Sequence, residues 1–160
     1  MAQRGTPAGL LQYQNTDSIR ASGVEVEING HPAPWLEIAA SMAVQRAVNS
    51  AHNYPLANSP GQIGKLRFSV PLFNKRLSLA SAMQYMGSRQ TLDSVSVPPV
   101  FLHDITISAK RLPGNVELQA GVRDLWGVKY SDPIALYDKY DTMPQPARTE
   151  FITLAWLKPD

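Results

Sequence analysis

Apolar and polar residues alternate along most of the chain. The stretch LEIAASMAVQ, residues 36–45, has apolar side chains at every second position, namely Leu36, Ile38, Ala40, Met42 and Val44. A period of two places these side chains on one face of a β-strand. The three- and four-residue spacing of an amphipathic helix is absent from the same stretch. The pattern therefore predicts a strand with one apolar face.

Six further stretches show the same alternation, which gives seven predicted strands. In five of them, apolar residues on one face alternate with charged, polar or small residues on the other, and the sixth, FITLAW, places Ile152, Leu154 and Trp156 on one side. The six are GVEVEING (23–30), KLRFSVPL (65–72), RLSLASAMQY (76–85), FLHDITISAK (101–110), VELQAGVR (116–123) and FITLAW (151–156). None of these windows fits the period of an amphipathic helix. The sequence therefore predicts an all-β, antiparallel fold.

Short and long connections alternate between the predicted strands. NGHPAP (29–34), FNKR (73–76) and LPGN (112–115) are hairpin-sized and rich in turn residues. The other three connections are long and run from about Arg46 to Gly64, Gly87 to Pro99 and Trp126 to Arg148. In an up-and-down sheet this order places all short turns at one end and all long loops at the other. Transmembrane β-barrels are typically built in this way.

Composition and aromatic placement favour the membrane interpretation. The 160 residues are 44% hydrophobic and only 18% charged, against about a quarter charged in ordinary soluble domains. Aromatic residues lie near the two ends of the predicted strands, as the two interfaces of a bilayer favour. Trp35, Phe73 and Trp156 are near the short turns, and Tyr85, Phe101, Trp126 and Tyr130 are near the long loops. The alternative is a soluble β-barrel or sandwich that binds a small ligand and buries the apolar face.

The sequence predicts neither an enzyme nor a metal or cofactor site. The absence of cysteine excludes disulfides, thiolate metal sites and a cysteine nucleophile. His31, His52 and His103 have no neighbour at the spacing of a zinc site, and no nucleophile elbow or phosphate-binding glycine loop occurs. A net charge of +2 with scattered cations indicates no nucleic-acid partner.

The C-terminal third resembles the penultimate strand of TonB-dependent outer-membrane receptors. That family commonly shows the pattern V-x-N-L-x-D-x-x-Y-x-D-P. The stretch from Leu112 to Pro133 supplies matching residues at Val122, Leu125, Tyr130, Asp132 and Pro133. Asp124 stands where the family usually has Asn, and Gly127 stands where it usually has Asp.

Three other segments resemble the family in the same order along the chain. Residues 13–30 resemble the entry into a late barrel strand, through Tyr13, Asn15, Gly23, Val24 and Glu25. Residues 58–72 resemble the next loop-to-strand joint, through Asn58, Pro60 and Leu66. Residues 141–156 resemble the last loop and strand, through Pro144, Gln145 and Arg148, with Ala147 in place of the usual Gly.

The resemblance implies a partial, antiparallel, up-and-down transmembrane barrel in the bacterial outer membrane. Barrels of this kind have about 22 strands, and residues 1–160 would form a C-terminal part of one. The plug domain and its connection to the energising TonB complex are expected to be missing from the chain. The implied function is uptake of a scarce solute such as an iron–siderophore complex or cobalamin. The implied partners are outer-membrane lipid, the barrel-assembly machinery and the solute, although Lys158 stands near a usually aromatic closing position.

The barrel interpretation also predicts which side chains face lipid and which contact the solute. Leu36, Ile38, Met42, Leu66, Phe68, Leu118 and Leu154 should face outward, and Glu25, Glu27, Arg67, Gln84, Glu117 and Arg123 should face the lumen. The resemblance places the solute near the long loops. Cations and aromatic rings there would suit an anionic, aromatic-rich chelate. The predicted contact residues are Arg46, His52, Tyr54, Arg89, Tyr137 and Lys139.

Overall fold

The chain is built from β-strands and turns. The computed structural model describes residues 2–5, 11–14, 18–50, 53–134 and 140–157, and no helix occurs within these ranges. The strands are β1 (Ala2–Gly5), β2 (Leu11–Gln14), β3 (Ile19–Ala33), β4 (Leu36–Asn49), β5 (Gln62–Leu72), β6 (Leu77–Met86), β7 (Arg89–Gln90), β8 (Ser96–Val97), β9 (Val100–Leu112), β10 (Val116–Arg123), β11 (Ser131–Pro133), β12 (Thr142–Pro144) and β13 (Thr149–Trp156).

Seven of these strands form one antiparallel sheet. Their order is β13-β10-β9-β6-β5-β4-β3, so each long strand pairs with its neighbour along the chain. The connections β3–β4, β5–β6 and β9–β10 are tight and lie at one end, and the long connections lie at the other. The predicted all-β, up-and-down sheet of seven strands is confirmed.

Three small two-stranded sheets were not predicted. They pair β1 with β2, β7 with β8, and β11 with β12. Each of these strands has only two to four residues, which is too short for an alternation of apolar and polar positions to be recognised. The last two pairs lie inside the second and third long connections, so these loops have their own hydrogen-bonded structure.

Two bulges interrupt the sheet at the end with the tight turns. Lys110 and Arg111 together oppose Glu117, because the register between β9 and β10 shifts by one residue. His31 and Pro32 oppose Glu37 in the same way between β3 and β4. A bulge leaves its extra residue outside the hydrogen-bond ladder, so the missing N–H of Pro32 costs little there.

The register assigns every long-strand side chain to one of two faces. Directly paired residues of an antiparallel sheet project to the same side. The chain of pairs Ile38–Phe68–Ser81–Ile105–Val122 therefore defines one face, and Ala39–Arg67–Ala82–Asp104 defines the other. The first is called the apolar face and the second the polar face. All seven side chains predicted to point outward lie on the apolar face, and all six predicted to point into the lumen lie on the polar face.

No second layer of the described chain covers the apolar face. Val24, Ile152 and Leu154 on this face are 72%, 78% and 69% exposed. Within the described ranges, the buried hydrophobic residues are Val48, Val97 and Val100, all at the long-loop end. A soluble sandwich would bury its apolar face, and an exposed apolar surface of this extent marks contact with lipid or another molecule. The arrangement argues against the soluble alternative.

The assignment of faces can be tested at the middle of β9. We expect Ile107→Arg to destabilise the complete barrel that contains this chain by about 2–4 kcal/mol, the cost of an arginine facing lipid near the bilayer midplane. Thr106→Arg places the same side chain on the polar face, so its effect should stay within about 0.5 kcal/mol. Urea titration in lipid vesicles, followed by tryptophan fluorescence, measures both. Equal losses in the two variants would contradict the assignment.

Candidate functional site

An ion pair joins the long loops at one end of the sheet. Arg89, at the start of β7, places its Nη2 2.7 Å from Oδ1 of Asp132 in β11. The Arg89 side chain is only 4% exposed, and its Nη1 donates to Oδ1 of Asn58 at 3.4 Å. The backbone N–H of Asn58 also donates to the carbonyl of Gln90. One buried guanidinium therefore contacts residues from all three long connections.

Short hydrogen-bonded hairpins give two of these loops a defined shape. In the first, the N–H of Thr91 donates to the carbonyl of Val95, and Oγ1 of Thr91 accepts from the N–H of Val95. In the second, the N–H of Gln145 donates to the carbonyl of Tyr130 at 3.0 Å. These bonds satisfy backbone groups that a long loop would otherwise leave to water.

A cavity of about 590 Å³ lies between the two hairpins. Its volume is within the range of small-molecule sites, about 300–1,000 Å³. Its walls are mostly apolar, with three larger polar side chains, Lys129, Tyr130 and Gln145, and three small hydroxyl side chains. The remaining lining residues are Val95, Ser96, Val97, Pro98, Pro99, Val128, Ser131, Thr142, Pro144 and Ala147. An apolar cavity with a few polar groups is the usual form of a ligand site.

The phenol of Tyr130 stays protonated in this environment. Burial, followed by the charges of Asp132 and Asp124, raises its pKa above the ordinary value, and the nearby Arg89 lowers it by a smaller amount. The group therefore keeps its O–H at neutral pH and can donate a hydrogen bond. With Lys129 beside it, the cavity offers a cation and a neutral donor to a solute.

Asp124 takes a left-handed backbone conformation, which suits both Asp and the Asn that usually stands at this position in the resembled family pattern. Its φ is +48°, and the N–H of Gly127, whose φ is +65°, donates to its carbonyl at 2.9 Å. Asn and Asp tolerate this left-handed region better than other residues with a side chain. The Asp124 side chain is buried and neither of its carboxylate oxygens has a hydrogen-bond partner, while its own N–H donates to Oδ1 of Asp104.

The polar face carries further cations below the loops. The guanidinium of Arg123 lies 5.1 Å from the centre of the Phe151 ring. That ring lies over Gly121, where an added Cβ would come within 2.8 Å of it. A concave region of about 320 Å³ further across this face is lined by Glu27, Lys65, Arg67, Gln84 and Asp104 among others. The face is therefore charged but mixed in sign.

The structure brings together two of the six predicted contact residues. Arg46 and Arg89 line one cavity of about 220 Å³ beside the first long loop. Arg46 is exposed, whereas Arg89 is occupied by Asp132. Tyr54 is 49% exposed, and its hydroxyl accepts from Nδ2 of Asn49. His52, Tyr137 and Lys139 lie outside the described residues. Contact with a solute stays a prediction for all six.

Sequence reasoning missed the cavity between the hairpins. Lys129 has no place among the sequence-based predictions; Tyr130 belongs there to the aromatic residues near the long loops and to a family-like pattern, and Gln145 only to such a pattern. The available signal was the cluster of Pro98, Pro99, Pro144 and Pro146 in two neighbouring loops, since proline gives loops a defined shape. No group of three His, Asp or Glu residues in the described ranges could hold a metal ion. None of the described segments forms a helix long and apolar enough to span a membrane.

Comparison with known proteins relates the chain to one family. A family model described as "TonB dependent receptor-like, beta-barrel" matches residues 2–125, more than half of the chain. No curated protein sequence matches significantly.

Solved structures share the fold at low sequence identity. The pyoverdine receptor FpvA of Pseudomonas aeruginosa is 18% identical with a TM-score of 0.69, and the match covers 94% of this chain and 21% of that chain. The copper transporter OprC is 16% identical with a TM-score of 0.73, and the match covers 96% of this chain and 26% of that chain. The ferric-catecholate import receptor Fiu of E. coli K12 is 18% identical with a TM-score of 0.67, and the match covers 85% of this chain and 20% of that chain. The chain thus spans between a fifth and about a quarter of the length of these proteins.

The ion pair between the loops gives a test of how the site is held together. We expect Arg89→Met to free the β7–β8 hairpin and to speed amide exchange at Thr91 and Val95 by about 30-fold, or roughly 2 kcal/mol. This is less than the 3–5 kcal/mol typical of a fully buried pair, because Asp132 is 35% exposed. Arg46→Met, which removes an exposed cation nearby, is the control. Unchanged exchange in Arg89→Met would show that the ion pair does not hold the hairpin.

Proposed function

This chain belongs to the TonB-dependent receptor β-barrel family, and from that membership we propose that it forms one section of the wall and loops of a receptor for a scarce solute. Barrels of this family lie in the outer membrane of Gram-negative bacteria and are receptors, not enzymes. The chain is therefore a segment of an outer-membrane barrel. We propose its solute, its transport activity and its partners.

The two faces of the sheet support this assignment. In hydrocarbon all backbone N–H and C=O groups must be paired, and only helices and closed barrels achieve this. A sheet with an exposed apolar face and a polar face of Lys65, Arg67, Asp104 and Arg123 fits a barrel wall with lipid outside and water or a plug inside. The short turns would then lie on the periplasmic side and the long loops on the outside.

The observation that carries the proposed solute site is the cavity between the β7–β8 and β11–β12 hairpins. Lys129 can attract an anionic solute, and Tyr130 can donate a hydrogen bond to an oxygen of it. The apolar walls suit the flat body of an aromatic chelate. We propose an anionic chelate such as a ferric siderophore, with Arg46, His52, Tyr54, Arg89, Tyr137 and Lys139 as further contact candidates in the loops.

Two of the structurally similar proteins are named for iron-chelate ligands and one for copper. FpvA binds pyoverdines and Fiu imports a ferric catecholate, while OprC is a copper transporter. The pairing of a cation with an aromatic phenol in the loop cavity favours a chelate as the solute of this chain. We further propose that a plug region outside these residues connects the receptor to the TonB complex.

The proposed site predicts the effect of two substitutions in the complete receptor. Lys129→Gln should raise the Kd for an anionic ferric chelate by roughly tenfold, because a hydrogen bond to a charged group is lost. Tyr130→Phe should raise it by a smaller factor, since the phenol is a neutral donor. Titration of the purified receptor with the chelate, followed by quenching of tryptophan fluorescence, gives both constants.

The matched control is Arg20→Gln, which removes an exposed cation from β3 outside the cavity. Its Kd should equal that of the unmodified receptor. If Lys129→Gln and Arg20→Gln weaken binding equally, net charge and not the cavity governs the affinity. If neither Lys129→Gln nor Tyr130→Phe changes the Kd, the cavity is not the site.

Residues 1–160 expressed alone with an export signal should not support solute uptake. Seven strands cannot enclose a lumen, because single-chain barrels begin at about eight strands and barrel diameter grows with strand number. The outer edges of β3 and β13 also have no partner strand among the described residues, so edge-to-edge association is expected. Growth on the solute, in a strain that lacks its own receptor, would disprove this expectation.

A further inference from the structure

Four cationic residues lie at or directly beside two tight turns, at the end of the sheet opposite the long loops. Lys75 and Arg76 belong to the β5–β6 turn, and Lys110 and Arg111 form the bulge that precedes the β9–β10 turn. All four are exposed. They are called the basic turn patch below.

The two turns are held side by side. Strands β6 and β9 are neighbours, and Leu77 pairs with Ala109 directly above the patch. The N–H of Lys110 donates to the carbonyl of Arg76 at 2.7 Å, so one hydrogen bond joins the two pairs of cations. The φ values of Lys75 and Arg111 are +65° and +55°. Bulges and turns of this kind redirect side chains out of the regular alternation of the sheet.

The described chain leaves the charge of the patch without a counter-ion. None of the four cations forms an ion pair within the described ranges, where the ion pairs are His31–Glu37 and Arg89–Asp132. The turns 73–76 and 110–115 contain no acidic residue. The nearest acid in the register is Glu117, which belongs to the polar face and makes no salt bridge with the bulge opposite. The long-loop end differs, because Asp132 pairs with Arg89 there and Asp93, Asp124 and Asp141 add negative charge.

Aromatic residues place the patch at the level of lipid headgroups. Trp35, Phe73 and Trp156 lie at the same end of the sheet and are 58%, 77% and 71% exposed. Nε1 of Trp156 donates to the carbonyl of Gly114, which fixes this ring beside the β9–β10 turn. Exposed Trp side chains with one polar atom are typical of the boundary between hydrocarbon and headgroups. Cations on the adjoining turns then lie next to the phosphates.

We propose that the basic turn patch binds anionic phospholipid headgroups of the periplasmic leaflet. The proposal rests on the membership of the chain in an outer-membrane barrel family, which places the short turns on that side. The two guanidinium groups match the geometry of a phosphate diester, and the two ammonium groups add charge. Each Lys or Arg near an anionic surface contributes about 1 kcal/mol, which corresponds to roughly a fivefold change in affinity.

The experiment measures lipid retained by the complete receptor. Receptor in detergent micelles is titrated with phosphatidylglycerol or phosphatidylethanolamine, and native mass spectrometry counts bound lipid. We expect a preference for phosphatidylglycerol that falls with salt, since exposed charges are screened. The variants Lys75→Gln/Arg76→Gln and Lys110→Gln/Arg111→Gln should each weaken phosphatidylglycerol binding by roughly tenfold or more, and the quadruple variant should remove the preference.

The matched control is Lys65→Gln/Arg67→Gln, which removes one lysine and one arginine from the polar face of β5. Its binding of phosphatidylglycerol should equal that of the unmodified receptor. Three results would overturn the proposal: an equal loss in the control, an unchanged quadruple variant, or no preference between the two lipids. Competition by a soluble acidic peptide at similar concentration would also overturn it, because the patch would then fit an acidic protein.

A second readout separates this proposal from the barrel assignment. Each receptor variant is also tested for heat-modifiable migration and for flotation with lipid vesicles. Failure of the unmodified receptor to insert would refute the membrane assignment itself. If the quadruple variant inserts normally but loses the lipid preference, the result supports lipid binding by the basic turn patch, separately from the barrel assignment.

Discussion

The pairing of backbone hydrogen-bonding groups is the constraint on which the rest of the structure depends. Within hydrocarbon an unpaired N–H or C=O costs several kcal/mol. The ladders between β3, β4, β5, β6, β9, β10 and β13 satisfy these groups inside the sheet. Because neighbouring strands satisfy the backbone, side chains on the outer face need no partner from this chain. Ile107 is an example, since its strand β9 is paired on both sides and the side chain is 45% exposed.

A sheet with no second layer has no core against which its long loops could pack. The loops must therefore be held in position by contacts among themselves. Packing in this chain is concentrated where the long loops meet, around Val97, Val100 and the Arg89–Asp132 pair. A buried ion pair contributes little net stability but strongly disfavours arrangements that leave one charge alone. It therefore specifies one mutual position of the loops. The cavity that contains Lys129 and Tyr130 lies between the loops that this ion pair joins.

The strands and their faces could be predicted because each depends on a local pattern. A period of two along β4 or β9 determines which side chains share a face, whatever the strand pairs with. The small hairpins could not be predicted in this way. β7 and β8 have two residues each, and their pairing depends on Thr91 and Val95 meeting across a turn. The pairing of Arg89 could not be predicted either. Its partner Asp132 is more than forty positions away, and the residues around Arg89 do not indicate it.

The sequence by itself determined the number of long strands, their antiparallel order, the two faces and the sorting of short and long connections. Alternation and turn residues act over a few positions and are visible without knowing the fold. The tertiary structure alone decided which loop residues form a cavity and which cations gather at the turns. Lys75 and Arg76 meet Lys110 and Arg111 only because β6 pairs with β9. Such contacts join residues distant in sequence, and strand register brings them together.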